Sequence, residues 1–168
     1  AERLDAVLML GDYIYEYDDK GYGADIGRRL GRLPDPPRET VTLADYRLRH
    51  AQVKADPDMQ AAHARAAFIC VWDDHEVTND GWIGGAENHQ PETEGDWQAR
   101  KAAAMQAYFE WMPIRDPARG RGHAAIYRSF EFGDLATLAM VETRLLARDR
   151  QAAPKGDVPA AEQIADVL

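Results

Sequence analysis

The stretch Phe68-Ile69-Cys70-Val71-Trp72-Asp73-Asp74-His75-Glu76-Val77-Thr78-Asn79-Asp80 constrains this chain more than any other. An apolar run stops, with no spacer, against four ionisable residues. The run has the length and make-up of a buried strand, and the abrupt change of polarity reads as that strand emptying into a loop. Carboxylates crowded at the mouth of a buried strand repel one another, and desolvation adds to the cost. A bound metal is the simplest compensating charge. The stretch therefore reads as half of a metal site whose other half lies elsewhere in the chain.

A second strand end of similar kind stands near the start. Leu4-Asp5-Ala6-Val7-Leu8-Met9-Leu10 is mostly apolar and closes on Gly11-Asp12, followed at once by Tyr13-Ile14-Tyr15-Glu16-Tyr17. The run resembles a strand buried on both faces of a parallel sheet. From Asp18 to Thr40 glycine, proline and charge dominate, which predicts a long loop with a helical turn around Ile26 to Leu30. Thr42-Leu43-Ala44-Asp45 is a variant capping box opening a helix through about Ala55. Asp56-Pro57 starts another, with Asp56 as N-cap, running to about Ala64. Two strands joined by a helical crossover pair in parallel. Both acidic loops then lie at one sheet edge, beyond the carboxyl ends of the strands, where open α/β sheets bind ligands.

Downstream, residues 81–95 read as loop. A helix from about Asp96 to Met112 sets Trp97, Met105, Tyr108 and Trp111 near one stripe as core, and Pro113 ends it. His123 to Val141 alternates as a hairpin with Gly133-Asp134 as a two-residue turn. A short helix is predicted from roughly Pro159 to Leu168. The expected fold class is α/β, a single domain over residues 1–168: a βαβ core, a β-hairpin belonging to a second sheet, and long loops.

The chain has 168 residues, 45% hydrophobic and 29% charged, enough for a globular core. A net charge of -9 argues against non-specific nucleic-acid binding, which wants a basic face. An anionic substrate would need local positive charge from metals or arginines. Cys70 is the only cysteine, so an internal disulfide is impossible. No run of about 18 apolar residues is present to span a membrane. The chain opens on a strand pattern without a start Met or a signal peptide, which is expected of an excised or processed piece.

The two strand ends together offer carboxylates, an imidazole, phenols and an amide. Oxygen ligands suit calcium, magnesium, manganese or ferric iron, and histidine extends the choice to zinc or ferrous iron. Two metals about 4 Å apart are a common device for phosphate-ester hydrolysis. A strand ending in Gly11-Asp12 followed by one ending in Asp74-His75-Glu76 resembles the calcineurin-like metallophosphoesterases. The variant Trp72-Asp73-Asp74-His75-Glu76-Val77, with Asn79 two positions on, is similar to the PhoD-like alkaline phosphatases and phosphodiesterases. Gly11-Asp12-Tyr13-Ile14-Tyr15, Trp111-Met112-Pro113-Ile114-Arg115, and Tyr127 to Leu135 running into Glu142-Thr143-Arg144 agree with that resemblance.

The resemblance implies a partial calcineurin-like metallophosphatase sandwich with a dinuclear centre. It implies that Asp12 bridges two metals and that Tyr15 binds ferric iron. Asp74 takes the place of the motif's metal-binding Asn, and His75 orients the phosphate or protonates the leaving oxygen. Asn79 falls among the metal residues or directly behind them, with Asp73 and Glu76 behind. Iron and calcium are the implied cofactors, a phosphate ester the substrate, and export to the periplasm or medium the location. Read from the residues alone, Asp12 also suits a turn, Tyr15 a half-buried aromatic, and Asp74 a helix N-cap. Arg144 and Arg148 read as solvated or paired with surface acids, with a phosphate-facing arginine as the alternative. The family's first metal motif belongs upstream of Ala1 and its later histidine loops downstream of Arg144. His50, His63, His89 and His123 are not in motif positions, and Glu142 stands where the family often has Asp. The second expectation is therefore that the isolated chain is a non-catalytic fragment or interaction module.

Overall fold

The computed structural model describes residues 3–146 and 148–150. In chain order the elements are β1 (Ala6–Met9), α1 (Ala24–Leu30), α2 (Leu43–Ala55), α3 (Pro57–Arg65), β2 (Ala67–Cys70), α4 (Pro91–Glu94), α5 (Trp97–Trp111), β3 (Arg128–Phe132) and β4 (Ala136–Met140). Strands β1 and β2 pair in parallel, Ala6 with Ala67 through to Met9 with Cys70. Strands β3 and β4 form a separate antiparallel pair. The βαβ core with a hairpin in a second sheet is thus present, and the α/β class holds. The helix expected over Pro159 to Leu168 lies outside the described residues.

The helix boundaries follow from capping. Asp45 N–H donates to Thr42 Oγ1 at 3.3 Å and Thr42 N–H returns to Asp45 Oδ2 at 2.9 Å, so both orphan donors are satisfied at the start of α2. Asp56 closes α2, and its Oδ1 accepts from Asp58 and Met59 at the start of α3, behind Pro57. Asp96 caps α5 through Ala99 N–H at 2.8 Å. A short α4 interrupts the segment expected to be all loop. In the hairpin Phe132 faces Ala136, so Gly133, Asp134 and Leu135 form a three-residue connection, not the expected two-residue turn. Gly133 takes a φ of 58°, which favours glycine and lets the chain reverse with one more residue.

Helices α2 and α5 pack together over the segment that leaves β2. Tyr46 of α2, fully buried, donates to Val77 O at 2.8 Å, and Arg100 of α5 donates to Tyr46 Oη at 3.0 Å. Trp72 sits edge-on against Tyr108, 5.4 Å between centroids. Trp97, Met105 and Tyr108 are core as expected, and Trp111 is half-buried. One side chain ties the long loop before α2 down at five carbonyls. Arg49, nearly fully buried, donates to the carbonyls of Asp35, Pro36, Arg38, Tyr15 and Tyr17.

Strand β1 departs from expectation. It is not buried on both faces: Leu4, Leu8 and Leu10 are exposed at 48%, 49% and 67%. Among the described residues β1 has one sheet neighbour, β2, so its apolar alternation finds cover on one side only.

Candidate metal centre

The loops after β1 and β2 are locked together before any ligand is considered. Gly11, with a φ of 108°, lets the first loop press on the second: a Cβ there would lie 2.2 Å from Asp73 N. Glu76, buried beneath both, accepts Tyr13 N–H on Oε1 at 2.5 Å and Asp73 N–H on Oε2 at 2.8 Å. Burial pushes the Glu76 carboxyl up to about 7 against the pull of those backbone donors. Asp12 and Asp80 both adopt left-handed backbone, φ 55° and 49°. Aspartate tolerates that region better than most residues, and strain of this kind clusters at sites.

The result is a convergence. One ligand atom each from Asp12, Asp74 and His75 lies within 4.8 Å of the others. Asp12 is exposed, His75 half-buried and Asp74 buried. Asp74 Oδ2 accepts Asp80 N–H at 2.5 Å. Burial raises the Asp74 carboxyl above its usual range, outweighing that bond and the nearby charges of Arg144 and His75. Tyr15 donates its hydroxyl to Asp12 Oδ2 at 3.2 Å, and its ring lies 4.4 Å from that of His75. Burial and then the Asp12 charge push the Tyr15 phenol up to about 12, so without a cation it holds its proton. Two carboxylates, one of them desolvated, with an imidazole and a phenol suit a hard or borderline cation. On donor chemistry the residues fit a metal.

Behind His75 stands Glu16, with none of its surface exposed. Its Oε2 lies 2.7 Å from His75 Nδ1. Its Oε1 accepts from Asn79 N–H at 2.8 Å and Asn88 Nδ2 at 2.9 Å, and the Thr78 hydroxyl beside it donates to Asn88 O at 2.7 Å. Burial alone would raise the Glu16 carboxyl, but the bonds from His75, Asn88 and Asn79 prevail and hold it below the usual range. Conversely, burial disfavours charge on His75, yet its bond to Glu16 and the acids around it hold the ring above its ordinary value. The Asn79 side chain donates to Glu87 at 3.0 Å.

On the other flank Arg144 forms a forked pair with Asp73, 2.6 and 3.0 Å, and lies 3.7 Å from Asp74 and 3.6 Å from Asp80. Its loop is fixed by Glu142, which accepts from Trp72 Nε1 and from the backbone N–H groups of Arg144, Leu145 and Leu146.

Residues 1–167 match the family described as PhoD-like phosphatase. The chain belongs to that family. Alkaline phosphatase D of Bacillus subtilis (strain 168) is 40% identical to it over 166 residues, 96% of this chain and 27% of that protein. The solved "Structure of PhoD" superposes with a TM-score of 0.76 at 37% identity, over 98% of this chain and 31% of that one. The chain thus spans less than a third of the length of both relatives.

Asp12, Asp74, His75 and Tyr15 come together in space, and Asn79 is bonded to Glu16 and Glu87. Asp73 and Glu76 support, the first through Arg144 and the second through two backbone amides. Two contributors escape the sequence reading. Arg144, read as solvated or paired at the surface, is the partner of the site's own acids. Glu16 goes unremarked between Tyr15 and Tyr17, though an acid set among apolar and aromatic residues signals a buried partner.

Proposed function

We propose that this chain carries part of the catalytic domain of an enzyme that hydrolyses phosphate mono- or diesters at a dinuclear metal centre. Asp12 would bridge the metals, and Tyr15, Asp74 and Asn79 would complete the ligands that this chain supplies. The observation that bears most weight is the convergence of Asp12, Asp74 and His75 at the mouths of two parallel strands. Iron with calcium is the proposed pair, resting on the resemblance and on the phenol beside Asp12. Bound metals supply an acidified water and neutralise charge that builds on the phosphoryl oxygens.

The chain's own residues divide the remaining work. Asp74, desolvated, offers a carboxylate that gains most from a cation. His75 engages Glu16 through Nδ1, which leaves Nε2 for the phosphate or the leaving oxygen, where it would hold and deliver a proton. Arg144 keeps Asp73 turned away from the ligand set. Periplasmic or extracellular location is part of the proposal by resemblance. No helix among the described residues is long and apolar enough to cross a membrane.

A second reading is favoured by one observation, the exposed Leu4, Leu8 and Leu10. On that reading the 168 residues alone are a non-catalytic, self-associating module. The test is turnover of a chromogenic phosphate ester by a chain of the relatives' length, beside metal uptake by the isolated 168 residues. Unchanged turnover in Asp12→Ala or Asp74→Asn would sink the first reading. Tight stoichiometric uptake of two metals by the short chain would sink the second.

A further inference from the structure

A neutral imidazole can carry its proton on either nitrogen, and the two tautomers do different chemistry. Nothing in the His75 side chain itself selects one. The surroundings do. Glu16 Oε2 approaches Nδ1 at 2.7 Å. The other oxygen of the same carboxylate is held by two donors, the Asn79 amide and the Asn88 side chain. The carboxylate therefore cannot swing away from the ring without abandoning that set, and burial leaves no water to replace them. On its faces His75 has the rings of Tyr15 at 4.4 Å and Tyr17 at 5.6 Å, which limit its rotation.

We propose that Glu16 is a positioning residue, which fixes the proton of neutral His75 on Nδ1 and so makes Nε2 the nitrogen that meets the phosphate. A carboxylate accepts and does not donate, so Nδ1 must carry the hydrogen. Nε2 is then the lone-pair nitrogen when the ring is neutral and the donor when it is charged. Ring orientation and tautomer come from one contact, as with the outer carboxylates that orient imidazoles at metal sites. The catalytic part of this inference rests on the reading that His75 serves phosphate-ester hydrolysis. The tautomer part does not.

Glu16→Gln gives a sharp test because the network dictates how the amide must sit. The two donors require an oxygen at the Oε1 position, which forces the amide nitrogen to face His75 Nδ1. That nitrogen donates, so the ring must accept on Nδ1 and move its proton to Nε2. The variant is isosteric, and it reverses the tautomer. Two-bond nitrogen–proton correlations on histidine-labelled, chelator-treated protein, at a pH well above the ring's raised pKa, read this directly. The wild type is expected as the Nδ1–H form and Glu16→Gln as the Nε2–H form. In steady-state turnover Glu16→Gln should lower kcat by about 100-fold or more with KM changed by less than about three-fold, the range for loss of a positioned acid or base. Glu16→Asp keeps an acceptor and should recover part of kcat.

A wild-type ring found as Nε2–H overturns the proposal, and so does a reversed tautomer with kcat unchanged. If Glu16→Gln fails to fold, the wild-type tautomer alone decides the matter. If a wild-type chain of the relatives' length turns over no phosphate ester, the functional reading fails, and the tautomer still judges Glu16.

Discussion

Gly11 and Asp73 meet backbone to backbone: a Cβ on Gly11 would stand 2.2 Å from the Asp73 amide nitrogen and 2.8 Å from its Cα. Neither neighbour is the far end of a flexible side chain, so neither can yield cheaply. Gly11→Ala also places an alanine at a φ of 108°. It should cost about 2–4 kcal/mol of stability, in the range for backbone strain combined with overpacking. Chemical denaturation would measure it. Metal affinity should fall as well, because the contact sets the spacing of the loops that bear Asp12 and Asp74.

Metal dependence is the direct check on the centre. Chelation should abolish turnover, and added metal should restore it. Asp12→Asn and Asp74→Asn should each lower metal content measured by elemental analysis. Each should cut kcat by roughly 100-fold or more, the scale for losing one element of transition-state charge stabilisation. The Asp74 change should be gentler on the metal-free fold, since it removes a carboxylate that burial already disfavours.

Arg144 is the cation present when no metal is bound. It pairs with Asp73 and stands near Asp74 and Asp80, with 22% of its side chain exposed. Arg144→Leu should destabilise the metal-free protein by about 1–3 kcal/mol, between a surface pair and a buried one. Metal should restore more stability to this variant than to the wild type, because it replaces the missing charge. Melting temperatures of both proteins, with and without metal, would show the difference, and equal shifts would count against it.

Glu76 and His75 both predict a pH response in the metal-free protein. The folded Glu76 keeps its proton to about pH 7, whereas an unfolded glutamate releases it near 4.5. The folded state therefore binds more protons between those values, and stability from this group falls as pH rises, by about 3 kcal/mol in all. His75 is raised too, so its contribution is complete below about 6.5 and is lost as pH rises through its folded value. Denaturation at pH 5, 7 and 9 should show Glu76→Gln flattening the change from 5 to 7, and His75→Asn lessening the loss above about 6.5.

The elements legible in the sequence are those whose signals are local. Thr42 and Asp45, Asp56 with Pro57, and Asp96 each announce a helix start through side chains within a few residues. The two strand ends were legible because polarity changes there in one step. Placing Asp12 beside Asp74 needed only the inference of parallel pairing. What was not legible depends on pairs distant in sequence. Glu16 finds Asn88 across 72 positions and Arg144 finds Asp73 across 71. The hairpin turn was misjudged by one residue, because Leu135 reads equally well as strand or as the end of a loop. The two-sided burial expected of β1 depends on neighbours that composition does not specify.

Arg49 does for the loop before α2 what an adjacent strand does elsewhere: it presents a row of N–H groups to a row of carbonyls. Carbonyls from Tyr15 to Arg38 thus share one guanidinium, with Gln52 adding bonds to Leu33 and Asp35. A segment held in this way opens as a unit. Losing the guanidinium should expose first a protease-sensitive stretch around residues 18–38, α1 included, while α2, α3 and α5 persist. The backbone that presents Tyr15 and Glu16 to the centre would loosen in the same event, so the site's order depends on a residue that meets it only through backbone carbonyls.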